Sequence, residues 1–499
     1  AASDVYKRQV TNLTLPSLFL SVVIFISFCG FLVAMFMPER NEDDRNRIRV
    51  VGLFSAGLTL TLVLIFGMYG QIALGEGGGQ STAGEENYRW LTFSFVSHYH
   101  LTADGMSLVL LLLSTLVFGC AFFHSFRQRE QVKLYVAMLL LLETGVNGVL
   151  CSADHVLFLV FWGMQIAPLY VLIRVYGGQE RARASTRYLV FALSSYMLLV
   201  AAAVLVIVKG GQQTSDIPTD YTTLLGPVES AGFWLSFAGF AIAMGVFPVH
   251  RWMVDAHSEA SPGVAAIASG VLLPLGAYGL MRITLGTFPT SSHQFSLLFV
   301  GLAVVGAVWG TLAALAQDDI RRMLAYINLT QMSVVLLALG TQSSVALVGA
   351  VFLLVAHGLS MSMLVLTAGA VEERTRTRSL VRLGGLAASM PRFAGFWLFA
   401  ALTAAGAPLL AGFIGQFLVF SGSFAAHRIA TVLVMASLVL TTGVLLWAAH
   451  RIFFGAAREM FSRARDVTAL DLSYLVPLVV FVLLFGIRPG AVTPMINNG

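Results

Sequence analysis

Runs of about twenty apolar residues, parted by short charged or glycine- and proline-rich segments, recur along the whole of this chain. A bilayer core about 30 Å thick is crossed by a helix of roughly twenty such residues, and in lipid each backbone N–H and C=O must be bonded within its own segment. Runs this long and this numerous therefore predict an all-α polytopic membrane protein. Breaks at charged or Gly/Pro clusters give about fourteen transmembrane helices, near 14–36, 50–72, 106–124, 132–150, 153–174, 186–208, 229–249, 261–283, 294–315, 323–340, 344–370, 392–420, 428–450 and 470–488. Only 11% of the residues are charged, against roughly a quarter in a soluble chain, so a soluble enzyme is excluded.

The basic residues orient these spans. Segments after odd-numbered spans hold 23 of the 30 Lys and Arg, among them Arg45, Arg127, Arg187, Arg251, Arg322, Arg378 and Arg451. The positive-inside rule puts that set in the cytoplasm and both termini outside, in a bacterial inner membrane. The net charge of +5 thus reports topology and calls for no nucleic-acid partner. Cys29, Cys120 and Cys151 lie far apart in apolar surroundings and fit neither a disulfide framework nor a metal or cluster spacing. Residues 1–9 look like a fragment edge, and 73–104 reads as a polar, Gly-rich outer loop with no visible chemistry. No phosphate-cradling Gly loop or zinc helix motif is present, and no catalytic or metal-ligating set emerges.

Two spans carry breaks. Span 7 ends in Gly245-Val-Phe-Pro248, and span 12 contains Gly406-Ala-Pro408 followed by Gly412 and Gly415. A proline removes a helix hydrogen bond, and in lipid the freed groups must be covered by protein or face a water-filled cavity. Matching breaks five spans apart have two readings: ordinary proline kinks, or two inverted five-helix repeats with interrupted helices 7 and 12. The second divides the chain into 1–131 (helices 1–3 and the outer loop), 132–283 (first repeat, helices 4–8), 294–450 (second repeat, helices 9–13) and 451–499 (a loop and helix 14).

Ionisable groups at membrane depth are costly and so are candidates for function. The candidates for a proton path are Glu143, His250, Asp255, His257 and His357, with Asp154, His155, Gln165, Glu259, Gln331 and Gln416 as further polar residues. A lone buried histidine also serves as a hydrogen-bonded packing residue, and both readings stay open for each.

Phe247-Pro-Val-His-Arg-Trp-Met-Val-Asp-Ala-His-Ser-Glu-Ala-Ser-Pro262, followed by Gly276-Ala-Tyr-Gly-Leu-Met-Arg282, resembles a signature of the antiporter-like subunit M (subunit 4) family of respiratory complex I, NADH-quinone oxidoreductase. Further matching segments are Asp104-Gly-Met-Ser107, Leu140-Leu-Leu-Glu143, Pro168-Leu-Tyr170, the run Ala316–Tyr326, Ala356-His-Gly-Leu-Ser360 and Arg451-Ile-Phe-Phe-Gly455. The resemblance implies fourteen helices, the two inverted repeats and a hydrated row of charges that carries protons. It also implies a non-catalytic chain without cofactor: flavin, iron–sulfur clusters and quinone belong to partner subunits, and the membrane-arm partners are of L, N, J and K type.

This sequence departs from that family where the proton carriers are expected. Gly163 stands five residues before Pro168 in place of a Glu, Ala243 and Pro274 stand in place of Lys, and Gln416 in place of a Glu; Gln331 replaces a His. Gly, Ala and Pro cannot bind a proton, and a neutral Gln only hydrogen-bonds. The reading favoured by these losses is a complex I-type membrane-arm subunit with a degenerate proton path. The alternatives are a working subunit M with substitute carriers such as His357 and His250, or the membrane subunit of a related hydrogenase or cation/proton antiporter complex, which the Asp255-Ala-His257 signature disfavours.

Overall fold

The computed structural model describes residues 18–75, 83–92, 95–209, 214–217, 226–456 and 458–491. Residues 1–9, the first four residues of the expected first span and Gly77 to Gly79 lie outside them. The helices are α1 (Phe19–Phe36), α2 (Glu42–Gly75), α3 (Gly105–His124), α4 (Val132–Cys151), α5 (His155–Met164), α6 (Ile166–Tyr176), α7 (Arg181–Lys209) and α8 (Pro227–Met244). They continue with α9 (Arg251–Glu259), α10 (Pro262–Leu285, with π-helical turns), α11 (Ser296–Leu315), α12 (Ile320–Thr341), α13 (Ser344–Thr375), α14 (Pro391–Ala405), α15 (Ala411–Phe424), α16 (Arg428–Ala449) and α17 (Ala469–Ile487). Among the described residues thirteen helical segments are long and apolar enough to cross a membrane. The expected twelfth span is the pair α14 and α15, each too short alone.

Burial follows the apolar pattern only in part, as it must where lipid and protein interior are equally apolar. The spans Ile320–Thr341 and Ser344–Thr375 are each 94% buried, so α12 and α13 form the centre, whereas α1, α2, α7 and α17 keep most of their apolar surface outward. Small residues bring the central helices together. A Cβ on Gly270 of α10 would sit 2.8 Å from the carbonyl of Gly358, and one on Gly358 of α13 2.5 Å from that of Gly270. Such close approach is the usual packing device in membranes, where no hydrophobic effect drives helices together.

The breaks fall where the sequence places them, and they close alike. At the end of α8, Gly245 takes φ 71° while its N–H donates to Ile242 and that of Val246 to Ala241. At the end of α14, Gly406 takes φ 76° while its N–H donates to Thr403 and that of Ala407 to Leu402. Both are Schellman closures, which need a left-handed residue and so favour glycine. The expected fifth span is itself kinked at Gln165, between α5 and α6, because Pro168 has no N–H for the carbonyl of Met164.

The loop 73–104 needs correction. It holds an antiparallel ribbon, β1 (Ala83–Thr92) and β2 (Val96–Ala103), in an otherwise helical chain. The alternation of Tyr88 and Trp90 is masked by the Gly-rich composition of the segment as a whole.

Candidate functional site

Three clusters hold Glu143, His257, His357, Gln331 and Gln416 at membrane depth, apart from hydroxyl contacts such as Thr311 with Thr330 and Thr441. The first joins α1, α2, α3 and α4. The Ser27 hydroxyl donates to Glu143 Oε2 at 2.9 Å and lies 3.5 Å from Thr59 Oγ1, while Glu143 Oε1 has no partner. One helical turn on, Asn147 accepts from Ser114 through Oδ1 and leaves Nδ2 unpartnered. Glu143 and Asn147 are both fully buried.

The second cluster is central and joins α9, α10, α12 and α13. His257 Nδ1 lies 3.0 Å from Ser269 Oγ and 3.3 Å from Asn328 Nδ2, which also donates to Ser269 Oγ at 3.0 Å. His357 Nε2 is 3.2 Å from the Ser269 carbonyl. The local fold explains that last bond. Residues Ala268–Leu272 are π-helical, with the Leu273 N–H donating to Ala268. In this register the Ser269 carbonyl would be served by residue 274, and Pro274 has no N–H to give. The freed carbonyl accepts from His357 instead. A carbonyl only accepts, so His357 holds its proton on Nε2 and presents a bare, unpartnered Nδ1. His257 also borders a cavity of about 50 Å³ shared with Trp162, Gln165, Ser195, Ala243 and Leu272. At roughly 10–15 Å³ per water that space takes a few water molecules.

The third cluster lies at the break of α14. Gln331 and Gln416 both donate to the Ala404 carbonyl, at 2.9 and 2.8 Å. The first break has a counterpart, since Trp252 Nε1 donates to the Ile242 carbonyl at 2.9 Å. A Cβ on Gly406 would meet Gln416 Oε1 at 2.0 Å, so the glycine there is required by space as well as by φ. Among the described residues no hydrogen bond links one cluster to another.

His250 and Asp255 stand elsewhere, on the arginine-rich side. Asp255 accepts from Arg187 and from Arg322, the latter at 3.4 Å, and borders a polar cavity with His250. Asp154, expected at membrane depth, is the N-cap of α5: it accepts from the N–H groups of Val156 and Leu157 and from β2 through the His98 N–H. Of the candidates, then, the structure brings His257 to His357 and His250 to Asp255, and it leaves Glu143 apart. Ser269 and Asn328 escaped notice in the sequence, although a run Asn328, Thr330, Gln331, Ser333 inside an apolar span was signal enough.

The four substituted positions are engaged as neutral residues. A Cβ on Gly163 would already meet the Tyr196 ring at 3.2 Å. Ala243 borders the small cavity, Pro274 is buried behind the π-turn, and Gln416 caps the broken helix.

The profile of the family described as NADH:quinone oxidoreductase/Mrp antiporter, TM, matches residues 152–442, more than half of the chain. The chain belongs to this family. It is 32% identical to NADH-quinone oxidoreductase subunit M of Escherichia coli (strain K12) over 465 residues, 90% of this chain and 91% of that one. It is 31% identical to F(420)H(2) dehydrogenase subunit M of Methanosarcina mazei, over 83% of this chain and 85% of that one. A chain in the structure of respiratory complex I from Thermus thermophilus with bound NADH superposes with a TM-score of 0.86 at 24% identity, covering 96% of this chain and 98% of that one. This family member thus shares the fold along nearly its full length.

Proposed function

We propose that this chain is an antiporter-like M subunit in the membrane arm of a complex I-type NADH-quinone oxidoreductase, holding its place in the arm while conducting few or no protons by the charged route. One observation carries the second half of that reading: Gly163, Ala243, Pro274 and Gln416 are neutral, Gly163 and Pro274 closely packed, Gln416 bonded to a backbone carbonyl and Ala243 beside a small cavity. A relay needs groups that change charge and tune one another's pKa. Three unlinked polar clusters do not make one. The names of the relatives, one of them a dehydrogenase that uses a different electron donor, support the membrane-arm role and leave the donor open. Flavin, iron–sulfur clusters and quinone then belong to partner subunits of the complex, with L-, N-, J- and K-type chains beside this one. The arginine-rich side faces the cytoplasm of a bacterial cell, with both termini outside.

A second reading has its own support. In the chain His257–Ser269/Asn328–His357, His257 meets the Ser269 hydroxyl and His357 the Ser269 backbone carbonyl, so two buried imidazoles bond to one residue and the second ends in a bare Nδ1. The experiment that separates the readings is His357→Ala in the assembled complex. An unchanged proton-to-electron ratio with normal assembly supports the structural role. A clear fall in that ratio with the complex intact means that His357 carries protons, and the degenerate reading is dropped.

A further inference from the structure

Beside the break of α8 lies a cavity of about 380 Å³, set apart from the three clusters. It is bordered by Arg183 of α7, Arg251 and Asp255 of α9, His250 before it, Trp309 of α11 and Arg322 of α12, with the carboxylates of Glu180 and Glu259 also on its wall. Three guanidiniums and three carboxylates border it, but two of the carboxylates are drawn on by arginines from outside it, which leaves Glu180 as the one acid of the wall with no cationic partner among the described residues. Asp255 is shared between Arg187 and Arg322, and Glu259 is taken by Arg378 at 2.9 Å from outside the cavity. Arg183 and Arg251 are solvent-accessible and have no carboxylate partner among the described residues, and with Arg322 they press their charge on Arg187. His250 is 8% exposed, borders the same space and leaves Nδ1 without a partner.

The other wall of the cavity is of the opposite character. Pro248 is exposed, and Trp309 is 50% exposed. Trp309 belongs to a stripe of outward apolar residues on α11, with Val305, Val308 and Leu312, at the i, i+3, i+4, i+7 spacing of one helix face. In a membrane-spanning helix such a face meets acyl chains. A cluster of guanidiniums at a helix end, opening beside a Trp and an acyl-facing stripe, matches an amphiphile with an anionic head. Guanidinium pairs with phosphate through two parallel N–H···O bonds, and basic pockets between transmembrane helices on this side of a membrane are a recognised way of holding acidic headgroups.

We propose that this cavity binds an anionic phospholipid, its phosphate held by Arg183 and Arg251 with His250 at the floor, and its tails laid along the stripe of Val305, Trp309 and Leu312. The site fills the break after α8 from the side and ties α7, α9, α11 and α12 to one ligand. It stands whether or not the subunit conducts protons.

The test uses the assembled membrane complex, delipidated and returned to nanodiscs of phosphatidylcholine alone or with phosphatidylglycerol. In wild type, phosphatidylglycerol should raise the midpoint of thermal disassembly by several degrees. Arg183→Gln/Arg251→Gln should lose most of that rise, and Arg183→Lys/Arg251→Lys should retain part of it. Both arginines are exposed and unpaired, so the Gln variant keeps its fold; its midpoint in phosphatidylcholine, equal to that of wild type, verifies this. An equal rise in wild type and the Gln variant overturns the site. So does a rise reproduced by inorganic phosphate in phosphatidylcholine discs, which would make the ligand a free anion. A fall in the proton-to-electron ratio of His357→Ala with this lipid effect intact would overturn the proposed function and leave the site standing.

Discussion

Gly163 shows how a charge position closes once its charge is gone. The Tyr196 ring lies 3.2 Å from where a Cβ would stand, tighter than ordinary contact, and α4 presses close on the same helix. A Cβ on Gly148 would fall 2.2 Å from the Phe161 ring, so α5 has no freedom to shift toward α4. Gly163→Glu should therefore overpack this site and bury an unpaired carboxyl, at a cost of roughly 1–3 kcal/mol for the packing alone. The expected outcome is a lower thermal midpoint for the assembled subunit, with part of the loss recovered in Gly163→Glu/Tyr196→Ala. An unshifted midpoint in the single variant would mean that the ring swings away freely. The substitutions were plain in the sequence, because each stands inside matching flanks. Their reasons were not. That Gln331 and Gln416 meet on one carbonyl, or that Pro274 hands the Ser269 carbonyl to His357, depends on residues far apart in sequence being brought together by α10, α12, α13, α14 and α15, and nothing local encodes such meetings.

At the scale of elements, two attachments are testable. Helix α17 is fixed at its start by Asp471, whose side chain is wholly buried and accepts from Arg127 and Arg374, from Thr468 in a capping box, and from Tyr474. Removing this buried carboxylate leaves Arg374 without its carboxylate partner and Arg127 with Glu373 alone, at about 3 kcal/mol. Asp471→Ala should loosen α17, seen as faster proteolysis within 458–468 and a lower thermal midpoint, while the rest of the bundle stays folded. The ribbon is held by softer means: Asp216 accepts from His98 and His100 Nδ1 at 2.8 and 2.9 Å. Burial opposes charge on both groups, yet the imidazoles hold Asp216 below its ordinary 3.8, and Asp216 with Glu85 holds His100 above its ordinary 6.5. The two signs differ. The Asp216 contribution is present above 3.8 and lost as pH falls through its lowered value; the His100 contribution is present below 6.5 and lost as pH rises through its raised value. Amide protection of β1 and β2 in hydrogen exchange should thus be greatest between those limits and decline on either side, and Asp216→Asn should flatten the profile. Hydropathy made the spanning helices legible and the proline–glycine clusters located both breaks. The ribbon stayed hidden because the Gly-rich composition around it resembles a loop, although its pairing is that of a local hairpin.

The whole molecule sorts its charge into two layers, and the sorting is physical as well as statistical. On one side, ion pairs connect segments far apart in sequence: Arg127 to Glu373 and Asp471, Arg187 and Arg322 to Asp255, Arg321 to Glu372, and Arg378 to Glu259 and Asp319. Every one of these residues lies after an odd-numbered span or at the helix ends that border such a segment. On the other side stand Asp104 with Arg282, and Asp216 with its two histidines. An error of one span anywhere would have placed a basic segment across the membrane from its partners, so the network agrees with the span order read from hydropathy. The positive-inside rule, by which Lys and Arg resist translocation, predicts that the arginine-rich layer is the cytoplasmic one. The expectation is concrete. In a background without Cys29, Cys120 and Cys151, a thiol at Glu85 should react with a membrane-impermeant maleimide added to intact cells, and a thiol at Arg376 should react only after the membrane is opened. Both positions avoid the ion pairs that hold the loops, apart from the single contact of Glu85 with His100. Labelling of residue 376 from outside would invert the orientation, and with it the assignment of the lipid-binding cavity to the cytoplasmic leaflet.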